Sequence, residues 1–308
     1  MKKCKEELTK CLTQCNDIEN NIDFSNLYKY LNILCGEFFN PAKLLSYRRP
    51  VMCVTGSRSI GKSTGIALLC LLNYIFNGKK FMYIRRRPKT VQKTAKTFFN
   101  NAVEIINSND KVDITIVGFK YYNGRYYIAT KLTEEGEPEW EECGKSQALS
   151  DEEDDKSAIY SEYNILIYDE FITKDKNRYL STNANIEAEW DACVSLYQTV
   201  DRGVNKPFRN ETVFFLLGNK STVFNPIFIT LGIINYLNAD AKYTAPKGEI
   251  WLWNDIDGVE ATSKYADSFA YKMSTERTKK YAYENDGGDN NDFVEKPKNA
   301  KYIATFIL

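Results

Sequence analysis

Residues 54–64 read VTGSRSIGKST, and the fold turns on what this stretch is. Its centre, Gly56-Ser57-Arg58-Ser59-Ile60-Gly61-Lys62-Ser63, has the form G-x-x-x-x-G-K-[S/T]. From average residue usage, a chance match in a chain of 308 residues is on the order of 1%. The setting lowers that figure. Val51-Met52-Cys53-Val54 reads as a short buried strand, and Ile60 to Phe76 reads as a buried helix that Asn77-Gly78 ends. Strand, glycine loop and helix in this order make a phosphate cradle: glycines let backbone N–H groups curl toward an anion, and the helix N-terminus adds partial positive charge. The alternative is a glycine-bearing turn with no ligand.

As a cradle, the stretch predicts an ATP site lined by Gly56, Ser57, Arg58, Ser59, Ile60, Gly61, Lys62, Ser63 and Thr64. Lys62 would reach the β- and γ-phosphates, and the Ser63 hydroxyl would ligate Mg²⁺. Mg²⁺ then needs a carboxylate partner. Asp169 ends the apolar run Tyr163-Asn164-Ile165-Leu166-Ile167-Tyr168 and is placed to supply it. Glu170 follows and, by strand alternation, should point to the other side of the strand end, where it can polarise the attacking water. The competing reading of Asp169-Glu170 is a helix N-cap with a first-turn acid.

Asn219 follows the apolar run Thr212 to Leu217 and is a candidate sensor of the γ-phosphate or the water; Gly218-Asn219 is equally a good turn pair. Two arginines are candidates for neutralising transition-state charge. Arg58 lies inside the cradle and would act in cis. Arg202 follows the helical stretch Ile186 to Val200 and would reach a neighbouring subunit's nucleotide. For each, the bland reading is a surface charge.

Further strands are expected at Phe81–Ile84, Val112–Val117, Phe119–Tyr122, Tyr126–Thr130 and Thr212–Leu217, with Asn123-Gly124 as a hairpin turn. Helices are expected at Phe24–Phe38 and Thr90–Ile106, and residues 133–157 read as an acidic loop. Strands alternating with helices imply an α/β fold with a mostly parallel sheet sandwiched by helices. Residues 1–37 read as an N-terminal helical extension, with Cys4, Leu8, Cys11, Cys15, Ile18 and Ile22 forming one apolar seam. Residues 38–235 are expected to form one P-loop ATPase domain. Beyond about residue 235 the pattern fades into a linker and helical region, 236–286. Residues 287–308 begin with a flexible link and end in a strand-like run.

Composition narrows the chemistry. The chain has no His, and its eight cysteines include no C-x-x-C pair, so buried free thiols are expected and a zinc site is not. Acid–base work must fall to Asp, Glu, Lys or water. The apolar runs are far shorter than the roughly 20 residues of a membrane span, and no signal peptide is visible. The net charge of zero hides an asymmetry: residues 38–103 carry thirteen Lys or Arg and no acid, whereas residues 133–175 carry fifteen acids and three lysines. The basic segment suits a polyanion, or is covered by the acidic one.

The pieces FFNPAKLLSY, VTGSRSIGKST, KKFMYIRRRPKT, Lys156-Ser157 before YNILIYDEF, and FFLLGNKSTVFNP, in this order, resemble the genome-packaging (encapsidation) ATPases of small protein-primed podophages, the phi-29 group. The resemblance runs from about Phe38 to Ile233 and weakly beyond. It implies a homo-oligomeric ring, expected to be pentameric, on the portal of an empty capsid in the host cytoplasm. Such a ring threads double-stranded DNA and hydrolyses ATP in turn, and Arg202 sits where the family's trans-acting arginine is expected. The 37 residues before Phe38 exceed the family's short N-terminus, leaving seam contacts with a neighbour, the portal or a packaging RNA open. Only 16 residues follow the link at 287–292, too few for the family's C-terminal domain, so either truncation or a protein without that domain is expected. A whole genome must pass, so DNA contacts should be to phosphates; Arg85, Arg86, Arg87, Lys89, Lys93 and Lys96 are candidates, with some of the arginines alternatively serving the nucleotide or the subunit interface. The alternatives are a cellular or plasmid DNA pump and, in different classes, a nucleotide-gated binding switch and a small-molecule kinase, for which no substrate site or lid is visible in the sequence.

Overall fold

The computed structural model describes residues 24–45, 49–56, 58, 60–155, 160–173, 175–202, 211–219, 224–233, 243–244, 250–254 and 269–275. The N-terminal seam, Ser57, Ser59, Lys156-Ser157 and the C-terminal link and run lie outside these residues.

Along the chain the strands are β1 (Val51–Thr55), β2 (Lys80–Arg85), β3 (Gly118–Tyr122), β4 (Arg125–Ala129), β5 (Glu141–Ala148), β6 (Tyr163–Asp169), β7 (Val213–Gly218), β8 (Tyr243–Thr244) and β9 (Ile250–Asn254). They form one sheet in the order β3-β4-β5-β2-β6-β7-β1-β9-β8. From β5 to β9 every neighbouring pair is parallel, and antiparallel β3, β4 and β8 finish the two sides. The helices are α1 (Phe24–Cys35), α2 (Ala42–Leu45), α3 (Lys62–Asn77), α4 (Pro88–Thr94), α5 (Asn100–Asn107), α6 (Ala188–Asp201), α7 (Pro226–Thr230) and α8 (Phe269–Lys272).

Both faces of the sheet are covered, because the central strands are apolar at nearly every position and alternate residues face opposite sides. Met52, Val54, Phe81, Tyr83, Ile165, Ile167, Phe215 and Leu217 join one core with α1, α3 and α5. Their neighbours Cys53, Met82, Ile84, Leu166, Tyr168, Phe214 and Leu216 join the other with α6 and α7. The helix-sandwiched, mostly parallel sheet is the architecture expected from the sequence. Cys35, Cys53, Cys70, Cys143 and Cys193 are buried free thiols, and burial pushes Cys53 up to about 12.

Four expectations need correction. Thr90–Ile106 is not one helix: α4 and α5 are separated by a turn where Phe98 and Phe99 pack on Tyr83 and Phe81, with ring centroids 4.4 and 4.5 Å apart. Val112–Val117 is not a strand, since the Asn107 side chain takes the place of a partner strand: its Nδ2 donates to Ile116 O (2.9 Å) and its Oδ1 accepts from Ile116 N (2.8 Å). Residues 133–157 are not all loop, because β5 lies within them. It is a strand of small and polar residues, and Gly144 sits so close to Phe81 that an added Cβ would meet the ring at 2.5 Å. Finally, residues 236–286 are not linker and helix alone, since β9 lies within them and runs parallel to β1.

Candidate functional site

Strands running in parallel end on one edge of a sheet, and that edge collects the site. β1 delivers the chain to Gly56, which is buried. Gly61 then takes φ 88°, a left-handed turn that an L side chain resists, and α3 starts at Lys62. Phe38 lies against Gly61, where an added Cβ would meet its Cβ at 2.9 Å, and Phe39 N donates to Ile60 O (2.9 Å). Ile60 is buried, Ser63 and Thr64 are half-buried, and Arg58 is exposed.

Lys62 is 8% exposed. Its Nζ donates to Gly56 O at 2.8 Å and to Asn219 Oδ1 at 3.1 Å. The lysine therefore closes the loop on itself and joins it to the end of β7, which lies between β1 and β6. Arg58, Gly61, Lys62, Ser63, Thr64, Asp169, Glu170 and Asn219 line one cleft of about 740 Å³. All eight are residues that the sequence assigns to the site, and no helix starts at Glu170, so the N-cap reading of the acid pair does not hold.

The acid pair has a third member that the sequence did not announce. Arg85, at the end of β2, donates from Nη1 to Asp169 Oδ2 (2.6 Å) and from Nη2 to Glu170 Oε2 (2.5 Å). One guanidinium reaches both acids because Glu170 takes φ 56° and leaves the strand alternation. The expectation that Glu170 points to the far side of the strand end is thereby corrected. Burial raises Asp169 above its ordinary carboxylate range; Arg85 pulls it back and Glu170 pushes it up. Burial opposes the charge of Arg85, but Asp169, Tyr83 and Glu170 outweigh it and hold the guanidinium above its ordinary value. Among the described residues no group of three or more His, Cys, Asp or Glu could hold a metal alone. A donor set of one carboxylate and the Ser63 hydroxyl does fit Mg²⁺, which keeps waters and shares phosphate oxygens.

Arg86 is buried too, and it faces the other core. Its Nε donates to Glu189 Oε1 and Oε2 at 3.0 and 3.1 Å, and its Nη2 to Glu189 Oε1 (2.8 Å) and Phe171 O (2.6 Å). Glu189 is 0% exposed and also accepts from the Tyr168 hydroxyl (2.6 Å) and Leu180 N (2.8 Å). This lock pins the segment after Glu170 and the first turn of α6 to the ends of β2 and β6. Arg85 and Arg86 are thus occupied by carboxylates, which removes both from the set of candidate DNA contacts. Glu189→Ala leaves the Arg86 charge buried without its partner, and we expect it to lower unfolding stability by about 3–5 kcal/mol in chemical denaturation.

Arg202 does not join its own chain's cleft. α6 ends at Asp201, whose Oδ1 accepts from Thr212 N (3.3 Å), just before β7. β7 has six residues, so at about 3.3 Å each Arg202 lies roughly 20 Å from Asn219, at the opposite edge of the sheet.

A glycine loop between a central parallel strand and a helix, with a lysine, an acid pair and a polar strand end facing it, defines a P-loop nucleotide-binding protein. The model of the Podovirus DNA encapsidation protein (Gp16) family matches residues 35–307, and the chain belongs to that family. The DNA packaging proteins of Bacillus phages PZA and phi29 are each 28% identical over 202 residues, 65% of this chain and 52% of the relative. That of Bacillus phage B103 is 26% identical over 268 residues, 86% of this chain and 73% of the relative. The chain therefore spans about half the length of the first two. Among solved structures, the N-terminal domain of the DNA packaging ATPase from bacteriophage phi29 has a similar fold: TM-score 0.53 at 23% identity, over 71% of this chain and 96% of that one.

Proposed function

We propose that this chain is the ATP-hydrolysing subunit of a motor that drives double-stranded viral DNA into a preformed capsid. The observation that carries the reading is the convergence of Lys62, Ser63, Asp169, Glu170 and Asn219 on one cleft, in a chain of the encapsidation family. The backbone of 56–61 and the first turn of α3 bind the phosphates, and Lys62 turns from Gly56 O and Asn219 to the β- and γ-oxygens. Ser63 and Asp169 would hold Mg²⁺, which when bound would supply positive charge to the phosphates. Glu170 accepts a proton from the attacking water while Asn219 orients it. Arg58 balances charge in cis, and Arg202 reaches the cleft of the next subunit in a ring, expected to have five members, seated on the portal in the host cytoplasm. A packaging RNA is a further candidate partner.

DNA phosphates are met by cations other than Arg85 and Arg86. A second cleft of about 840 Å³ borders Glu170 and Asn219 and is lined by Arg58, Arg87, Lys89, Lys93 and Arg178, together with the carboxylate-paired Arg85 and Arg86 and with Asp175. Neutral-sequence duplex DNA should stimulate ATP turnover, and Lys62→Ala should lower the stimulated rate at least about 100-fold. A wild-type rate indifferent to duplex DNA would instead favour the nucleotide-gated switch, and an unimpaired Lys62→Ala would remove the cradle from the chemistry.

A further inference from the structure

The two oxygens of Asp169 are not equivalent. Oδ2 has Arg85 Nη1 at 2.6 Å and the Tyr83 hydroxyl at 3.2 Å, whereas no hydrogen bond to Oδ1 is found among the described residues. Tyr83 lies on β2, paired in register with Ile167 of β6, and is 0% exposed, with Phe98 packed on its ring. A tyrosine this deep needs a partner for its hydroxyl, but it needs only one. It has a second: Thr94 Oγ1, in the last turn of α4, stands 2.9 Å away. Thr94 Oγ1 in turn is 2.8 Å from Thr90 O, one turn back in α4.

A phenol carries one proton, so it cannot serve both acceptors fully. In one arrangement Thr94 donates to Tyr83 and Tyr83 donates to Asp169. In the other Tyr83 donates to Thr94, Thr94 donates to Thr90 O, and only lone pairs of Tyr83 face the carboxylate. An ionised carboxylate is repelled by lone pairs and selects the first arrangement. The chain of hydroxyls then holds Oδ2 between Tyr83 and Arg85 and fixes the carboxylate plane.

We propose that Tyr83, itself held by Thr94, is a positioning residue for the metal-binding carboxylate. It anchors Oδ2 so that Oδ1 is the oxygen left for Mg²⁺, and it ties that choice to α4, whose Lys89 and Lys93 line the basic cleft. Outer partners that orient a metal ligand typically matter 10–100-fold. The inference rests on the reading of Asp169 as the Mg²⁺ ligand.

The test is equilibrium binding of a fluorescent ATP analogue to the full chain, in EDTA and across a Mg²⁺ titration. Tyr83→Phe keeps the ring and removes the hydroxyl. The expected result is unchanged affinity in EDTA and a Mg²⁺ half-saturation raised about 10-fold. Thr94→Val should shift it in the same direction, and Thr94→Ser should restore it. Wild-type Mg²⁺ dependence in Tyr83→Phe overturns the proposal. So does an equal loss in EDTA and in Mg²⁺, which would mark Tyr83 as packing alone. Asp169→Asn separates the two levels: if it too keeps the wild-type Mg²⁺ response, the reading of Asp169 fails and the inference falls with it.

Discussion

Glu170→Gln is expected to bind ATP as the wild type does and to hydrolyse it roughly 1,000-fold more slowly, within the range for loss of a positioned general base. Glutamine has the same shape, so it can occupy the left-handed position at φ 56° at no new cost. Arg85 keeps its bond to Asp169, so the frame of the site survives. What is lost is the ability to take a proton. The native carboxylate is well placed to take one. Its side chain is 65% exposed, so it meets water, and Arg85 holds Oε2 while no hydrogen bond to Oε1 is found among the described residues. The check is steady-state turnover beside binding of a fluorescent ATP analogue. A rate within a few-fold of wild type would exclude Glu170 as the base, and a parallel loss of binding would make its role structural.

The backbone of this site was legible because its signals are local. Two glycines, a lysine and a hydroxyl within eight residues carry their own geometry, and an acid pair at the end of an apolar run marks a strand edge. The clamp on that acid pair was not legible. Arg85 lies 84 residues before Asp169 and Arg86 lies 103 before Glu189, and nothing in Arg85-Arg86-Arg87 says which guanidinium turns inward. The apolar run FMYI ending in arginine was the available hint, since successive residues of a strand buried on both faces must point into one core or the other. Arg85 goes to the site, and Arg86 goes to the core on the α6 side. β5 escaped for a related reason. Its pattern is set by what Phe81 leaves room for, so EECGKSQA carries no apolar alternation to read. Glu189 sits in the first turn of a helix, where an acid is ordinary, and its total burial is a tertiary fact.

Arg202→Ala is expected to lower the DNA-stimulated rate about 1,000-fold, the low end for removal of an arginine finger. The loss should appear at sites that belong to other subunits. The geometry favours action in trans. α6 is fixed at its start by the Arg86–Glu189 lock and at its end by Asp201, which holds Thr212 N, so it is a strut that sets Arg202 at the sheet edge away from its own cradle. A finger at roughly 20 Å cannot touch its own nucleotide, because an extended arginine spans only about a third of that distance. Mixing the variant into wild type before assembly tests this directly. If a five-membered ring fires in turn, an equal mixture leaves about one ring in thirty free of mutant subunits, and activity should collapse well before the midpoint of the titration. Pairing Arg202→Ala with Glu170→Gln then sorts the alternatives. Each variant is expected to be inactive alone. In a mixed ring the intact Glu170 of one subunit can meet the intact Arg202 of the next, so single turnovers should reappear at those interfaces. A cis role for Arg202 predicts a decline in simple proportion to the mutant fraction and no recovery in the pair, and that result would move the finger assignment to Arg58.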